Sequence, residues 1–146
     1  MLVMTGLLIG VGGCGSAEDA HEEAVQKDKA SLVGTWKVIA CESDGEKVPE
    51  EILRGEVVRW IVTADTITIK VESEFKEEDR YTLNPTKKPT TIDLTDKNGK
   101  RILGIYAVEG DSLKVCWLEG KTGRPTEFVT KPNSGLALFV FQRETR

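Results

Sequence analysis

The chain has 146 residues, of which 39% are hydrophobic and 30% are charged. This is enough apolar material for one compact domain, and too much for a disordered chain. The formal net charge of −4 argues against the basic surface that nucleic-acid binding requires, so we expect no nucleic-acid partner. One histidine and three cysteines are too few for most zinc sites, and we expect neither a metal nor another cofactor.

The first 13 residues, MLVMTGLLIGVGG, are apolar and uncharged. The segment is too short to span a bilayer, which takes about 20 residues, and it is typical of the apolar region of a secretory signal. The sequence Val11-Gly12-Gly13-Cys14 resembles a bacterial lipobox, in which the cysteine is lipidated. No basic residue precedes the apolar run, so a cleaved non-lipoprotein signal, or no signal, are the alternatives. We expect a signal peptide over 1–13 and a lipid anchor at Cys14. The protein would then lie in the cell envelope facing the periplasm, or be secreted.

The next segment, residues 14–30, is polar, acidic and rich in alanine. Such a composition predicts a tether between the anchor and a folded domain, with a short helix from Ala17 to Lys29 as an option. The single histidine, His21, lies in this segment. No cysteine or second histidine is near it in the sequence, so we interpret it as a solvated linker residue.

From residue 31 to 146 the pattern changes to short alternating runs separated by turn sequences, which predicts an all-β domain. A single helical turn is expected around residues 49–53, ended by Gly55. Antiparallel strands with one apolar face and short loops are best covered by closure into a small up-and-down eight-stranded β-barrel; a sandwich is the alternative. The eight predicted strands are 33–42, 56–62, 65–72, 75–83, 90–95, 101–108, 112–118 and 135–143.

The fourth predicted strand is unusual because its apolar face also carries acids. Phe75, Tyr81 and Leu83 share one side with Glu77 and Asp79. A polar interruption on an inward face could line the mouth of a ligand site. We favour the interpretation that the strand is short, frayed or bulged near Glu77, with the acids in solvent.

Two cysteines, Cys41 and Cys116, remain in the predicted barrel. An exported protein with two such cysteines suggests a disulfide. In a closed barrel, however, the eighth strand would separate them by about 9–10 Å, which exceeds the roughly 7 Å limit between bridged Cα atoms. We therefore expect two separate thiols.

Two features at the ends of the domain resemble the lipocalins. The triplet Gly34-Thr35-Trp36 matches the lipocalin Gly-x-Trp motif, and Arg143 on the last strand corresponds to the arginine that packs over that tryptophan. The chain more specifically resembles a functionally uncharacterised lipocalin-like domain family that is expanded in Planctomycetes. This resemblance covers about residues 31–145 and implies a β-barrel and an N-terminal signal, but no activity and no catalytic residues. The stretches that carry it are residues 32–38, 84–89, 91–93, 103–106, 110–116 and 124–128.

Enzyme templates are missing from the sequence. It has no Gly-x-Ser-x-Gly elbow, phosphate loop or His-Glu-x-x-His motif, and its histidine lies in the predicted tether, so we expect no enzyme activity. The first function hypothesis is a monomeric, lipid-anchored barrel that binds a small apolar ligand. The alternative is an envelope protein-interaction or inhibitor module whose barrel is filled by side chains.

A barrel of this size is just wide enough for side chains or one small ligand. A long connection over residues 119–134 is a second place for binding. For Arg124 we favour a structural pair with Glu127 over an anion contact. The candidate contact residues for a ligand or partner are Tyr81, Tyr106, Trp117, Arg124 and Glu127.

Overall fold

A computed structural model describes residues 16–72, 76–118 and 123–144, with side chains from Asp19 onwards within these ranges. Two helices are present in this part of the chain. Helix α1 spans Ser16–Leu32 and helix α2 spans Glu50–Gly55. Neither these nor any other helix in the described ranges has the length and apolar character needed to cross a membrane.

The described residues form nine strands in one antiparallel sheet. The two-residue strand β2 pairs only with β1. The other eight strands follow one another around a ring in chain order, and the ring is closed by the pairing of β1 with β9. The strands are β1 (Gly34–Ser43), β2 (Glu46–Lys47), β3 (Val58–Val62), β4 (Thr66–Val71), β5 (Lys76–Asn84), β6 (Thr91–Thr95), β7 (Arg101–Glu109), β8 (Ser112–Leu118) and β9 (Leu136–Arg143).

This closure confirms the predicted eight-stranded up-and-down barrel and excludes the sandwich. Seven registered pairs, from Trp36↔Arg143 to Ser43↔Ala137, join β1 to β9. The pairing shifts between Val38 and Ala40, where a bulge lets the strand bend. Full closure leaves no unpaired edge among these eight strands, which is the physical reason that short alternating strands adopt this form.

Strand alternation divides the side chains into an inner and an outer set. The inner set forms one core with residues from most strands, and Trp36, Val115 and Phe141 in it are fully buried. The outer set includes Thr68, Glu78 and Arg80 on β4 and β5. Every predicted strand is present, with boundaries moved by two residues or fewer.

Helix α1 differs from the predicted tether. Its C-terminal half packs on one end of the barrel, and both Val25 and Leu32 are buried there. The observed helix is longer than the predicted one, since it begins at Ser16 and continues to Leu32. This half of the segment is part of the folded domain, because its apolar side chains cover a barrel end that would otherwise face water.

The expectation that β5 is frayed near Glu77 is wrong. The strand is regular through Lys76–Asn84, with Glu77 opposite Ile69 and Asp79 opposite Ile67 on β4. Asp79 is only 1% exposed. Strand β4 pairs with β5 along this stretch, so the alternation carries the acid inward together with the apolar residues that share its face.

Candidate functional site

The two ends of the barrel differ in how they are covered. We call the end next to α1 the closed end. The Trp36 indole donates a hydrogen bond of 2.8 Å to the Leu32 carbonyl, and the Arg143 guanidinium lies 4.2 Å from the Trp36 ring centre. Arg143 also donates to the carbonyls of Ser31, at 2.6 Å, and Val33, at 3.1 Å. The Gly-x-Trp triplet and its arginine thus form a structural joint between α1, β1 and β9.

Gly34 is required by the geometry of this joint. Its φ of +138° lies in a region of backbone conformation that residues with a side chain rarely adopt. A Cβ at this position would be 3.0 Å from Nη1 of Arg143. The glycine lets the chain turn from α1 into β1 directly beneath the arginine.

The two predicted contact residues Tyr81 and Tyr106 also lie near the closed end. The Tyr81 hydroxyl donates to the Thr63 carbonyl at 2.7 Å, and the Tyr106 hydroxyl donates to Asp28 of α1. Burial raises the pKa of Tyr81 to about 12, and burial together with the Asp28 contact raises the pKa of Tyr106 further. Both side chains are buried, with their polar groups engaged within the protein, so we assign them to the core.

The opposite end, which we call the open end, exposes part of its inner wall. Inner side chains near the closed end, such as Ile67 and Leu113, are fully buried. Those near the open end pack on the same core but are only half-buried, as is Leu53 of α2, which also packs against this core. The half-buried inner residues at this end are Cys41, Val58, Ile69, Val71, Glu77, Ile102, Trp117 and Phe139.

One side of the interior is an aromatic wall made of Trp60, Trp117, Phe139 and Phe141. Trp117 and Phe139 stack with ring centres 4.7 Å apart and planes 18° apart. Trp60 lies 4.6 Å from Phe141 and 6.2 Å from Trp117. These rings come from β3, β8 and β9, so they line one side of the barrel and extend from the core to the open end.

Strand β5 lies on the side of the ring opposite β9, and it carries Glu77 and Asp79. Glu77 is half-buried near the open end, whereas Asp79 is one pleat deeper and almost completely buried. No neutral or cationic donor among the described residues reaches either carboxyl oxygen of Asp79, and the Glu77 carboxyl is the one group there that can share a proton with it. Such a group is costly to bury, so its presence in an apolar core calls for an explanation.

The environment of Asp79 favours its protonated form. Burial raises the pKa of Asp79 to about 7, and the neighbouring Glu77 carboxyl and the charge of Asp96 act in the same direction. Its neighbour on β4, Ile67, is apolar and offers no compensating charge. The carboxyl is therefore partly protonated near neutral pH.

The remaining predicted contact residues, Arg124 and Glu127, lie on the outside of the barrel. Arg124 forms an ion pair of 2.7 Å with Asp93 and donates to the Gly104 carbonyl at 2.8 Å. Its partner is thus Asp93, not Glu127 as predicted, and Glu127 is exposed. The role of Arg124 is structural, because it fixes the connection that follows β8 to the outer face of β6 and β7.

A cleft of about 590 Å³ lies beside Arg124 on this outer surface. His21 of α1, Lys87, Lys88 and Pro125 are among the residues that line it. Asp93 also lines the cleft and pairs with both Arg124 and Arg101, each at 2.7 Å. The cleft therefore holds charges of both signs that already compensate each other in part.

The two barrel cysteines, both within the described residues, are not bonded to each other. Cys41 pairs with Phe139 and shares its inner face, whereas Cys116 pairs with Leu138 on the outer face. Strand β9 separates them, as predicted, and they also lie on opposite sides of the barrel wall. Burial raises the pKa of the Cys116 thiol to about 11, which makes it unreactive.

The structure brings together only part of the predicted site. Of the five candidate contact residues, Trp117 alone lies at the open end. Within residues 16–72, 76–118 and 123–144, no group of three metal-ligating side chains is close enough to hold an ion. Cys14, the predicted lipidation site, lies outside the described residues, as do the predicted signal over 1–13 and Phe75.

Comparisons with known proteins give one structural likeness. No family model and no curated protein matches the chain. A crystal structure of a point mutant of the fluorescent protein UnaG is 14% identical, with a TM-score of 0.42, and the match covers 80% of this chain and 99% of that one. The resemblance to the lipocalin-like family from Planctomycetes stays a prediction.

Sequence reasoning missed the importance of Asp79. The signal was present, because its spacing from Tyr81 and Leu83 put it on the apolar face of a strand. Glu77 and Asp79 together lower the apolar character of that face, which made fraying the simpler interpretation. Only the register with β4 shows that the acid remains inside.

Proposed function

We propose that this chain is an exported, lipid-anchored member of the lipocalin-like domain family that binds a small apolar or amphipathic ligand inside the open end of its barrel. The observation that carries the proposal is an aromatic wall whose outer rings, Trp117 and Phe139, are only half-buried, opposite a buried acid that no neutral or cationic donor among the described residues reaches. A barrel filled only to stabilise itself would gain more from an apolar residue at position 79.

The size of the barrel limits the ligand. Eight strands enclose just enough room for side chains or for one small molecule. Trp60 and Phe141 fill much of the interior, and the half-buried side chains Ile69, Trp117 and Phe139 lie nearer to the open end. We therefore expect a ligand that enters beside these three residues and contacts the rings, with a polar group reaching Glu77 or Asp79.

The test is a titration with N-phenyl-1-naphthylamine, a neutral apolar probe whose fluorescence increases on leaving water. The full chain, freed of lipid, should bind it saturably. The substitution Ile69→Trp places a larger side chain on the inner wall at the open end, and it should weaken binding at least tenfold. The matched control is Ile61→Trp on β3, where the isoleucine faces outward and is 36% exposed.

The control should bind the probe within about twofold of the parent chain. The proposed function is wrong if the parent chain binds no probe at saturation. It is equally wrong if Ile69→Trp folds normally, as judged by its circular dichroism, and binds as the parent does.

A further inference from the structure

We propose that the ligand of this barrel is an organic amine, whose ammonium group binds the carboxylates of Asp79 and Glu77 while its apolar part packs on the aromatic wall. This inference rests on the proposed function and adds the chemical class of the ligand. It follows from the missing hydrogen-bond donors at the buried acid, and from the acidic and aromatic groups around it.

An ionised carboxylate accepts hydrogen bonds and donates none. Asp79 is only 1% exposed, and once it is ionised no neutral or cationic donor among the described residues reaches its two oxygens. A ligand that satisfies them must donate hydrogen bonds, and an ammonium group supplies up to three donors together with the opposite charge. Glu77, two residues away on the same inner face, offers a second acceptor closer to the solvent.

The charges around this position disfavour an anionic ligand. Glu77 and Asp96 are the charged groups that act on Asp79, and both are acidic. Among the described residues, no lysine or arginine projects from the inner wall near the open end; Arg143 is held against Trp36 at the closed end. A carboxylate or phosphate would therefore enter a site of its own charge without a counter-ion.

The wall opposite β5 suits the same ligand class. Ring faces attract a nearby cation through their quadrupole, and they also pack against an alkyl chain. Trp117 and Phe139 lie across the barrel from Glu77 and Asp79, because β8 and β9 face β5 around the ring. Trp60 on β3 is two strands from Glu77, with Ile69 between them, and joins the acidic side to these rings. Acidic and aromatic surfaces on opposite sides form the pair of contacts that an amphipathic amine makes at once.

The experiment compares octylamine, octanol and octanoate, which share one chain and differ in the head group, by calorimetry with the full chain at pH 8. We expect octylamine to bind at least tenfold more tightly than either of the other two. In Asp79→Asn this preference should fall to threefold or less, with little change for octanol. The control is Glu78→Gln, because Glu78 lies between the two acids but faces outward and is exposed.

Proton release gives a second measurement that needs no variant. Octylamine binding at pH 7 should release protons, as seen from the dependence of the heat on buffer ionisation, because the ammonium ion displaces the proton of the acid pair. Octanol should release none. If Asp79→Asn does not fold, the test rests on the octylamine preference of the Glu77→Gln variant and on this proton release.

The inference is overturned if the three compounds bind equally, if octanoate binds best, or if a folded Asp79→Asn variant keeps the full preference for octylamine. Binding of the neutral naphthylamine probe distinguishes a failure of the proposed function from a failure of the proposed ligand class. A chain that binds the probe but shows no preference for the amine retains the proposed function and loses only the ligand class.

Discussion

At the scale of single residues, Asp79 is the side chain that the fold explains least well. Its carboxyl is almost completely buried, its nearest polar neighbour is the acidic Glu77, and no neutral or cationic donor among the described residues reaches it, so this arrangement costs free energy. Tyr81 and Tyr106 are also buried polar residues, but the protein supplies a partner for each of their hydroxyls. The contrast separates polar groups that stabilise the barrel from one that is retained despite its cost.

The raised pKa of Asp79 predicts how stability depends on pH. The pKa is about 7 in the folded chain and about 3.9 in an unfolded one. Between these values the folded protein binds more protons than the unfolded protein, so the free energy of unfolding falls as the pH rises through this range. Above pH 7 the loss is complete.

Urea unfolding at pH 5 and pH 8 measures this dependence. The parent chain should lose at least about 1 kcal/mol more than Asp79→Asn between the two pH values. Glu78→Gln should behave like the parent, because Glu78 is exposed. Equal losses in the parent and Asp79→Asn would show that Asp79 does not titrate in this range.

At the scale of elements, the joint of α1, β1 and β9 holds the closed end together. Arg143 is the last residue of β9. Its guanidinium donates to the Ser31 carbonyl of α1 and to the Val33 carbonyl, and it lies over the Trp36 ring of β1. It also pairs with Asp111 in the turn between β7 and β8, at 3.2 Å. One side chain thus links the helix to both strands whose pairing closes the barrel.

Replacing this arginine should therefore destabilise the whole barrel. We expect Arg143→Ala to lower the free energy of unfolding by about 2 kcal/mol, since it removes a cation–π contact and leaves two carbonyls without their donors. Chemical denaturation followed by tryptophan fluorescence measures the change.

The matched control is Arg54→Ala on α2. Arg54 forms an exposed pair with Glu50, at 3.0 Å, so the loss should stay within about 0.5 kcal/mol. An Arg143→Ala variant as stable as this control would contradict the structural role of the joint.

At the scale of the whole molecule, the two ends of the barrel differ in how they are covered. Helix α1 leads into the closed end, and the half-exposed wall lies at the other end. If Cys14, two residues before α1, carries lipid, the anchor joins the chain on the helix side.

Membrane fractionation of a Cys14→Ser variant tests the anchor. The parent chain should sediment with the membranes of a bacterial host that processes lipoproteins, and Cys14→Ser should shift to the soluble fraction, because acyl chains supply the anchoring energy. Cys41→Ser is the control, and it should sediment with the parent. A Cys14→Ser variant that stays in the membrane fraction would refute the anchor.

The local pattern of the sequence predicted most of the barrel. Alternation in Thr66–Val71 and Ser112–Leu118 indicated the strands, and glycine-containing turns such as the one at Gly110 separated them. The site was less predictable, because its residues come from strands that are far apart in sequence. Trp60 and Trp117, which stack on one side of the interior although β3 and β8 are far apart in sequence, carry no local signal that they meet.

The sequence by itself therefore determined the all-β class and the positions of the strands, since these follow from period-two alternation and turn sequences, and it favoured a closed barrel over a sandwich. The pairing of β1 with β9 in the tertiary structure decided between the two. Only the tertiary structure decided that α1 seals one end, that Arg124 pairs with Asp93, and that Asp79 is buried opposite an aromatic wall. The reason is physical. Burial and charge pairing depend on which strands face one another across the barrel, and alternation within a single strand does not contain that information.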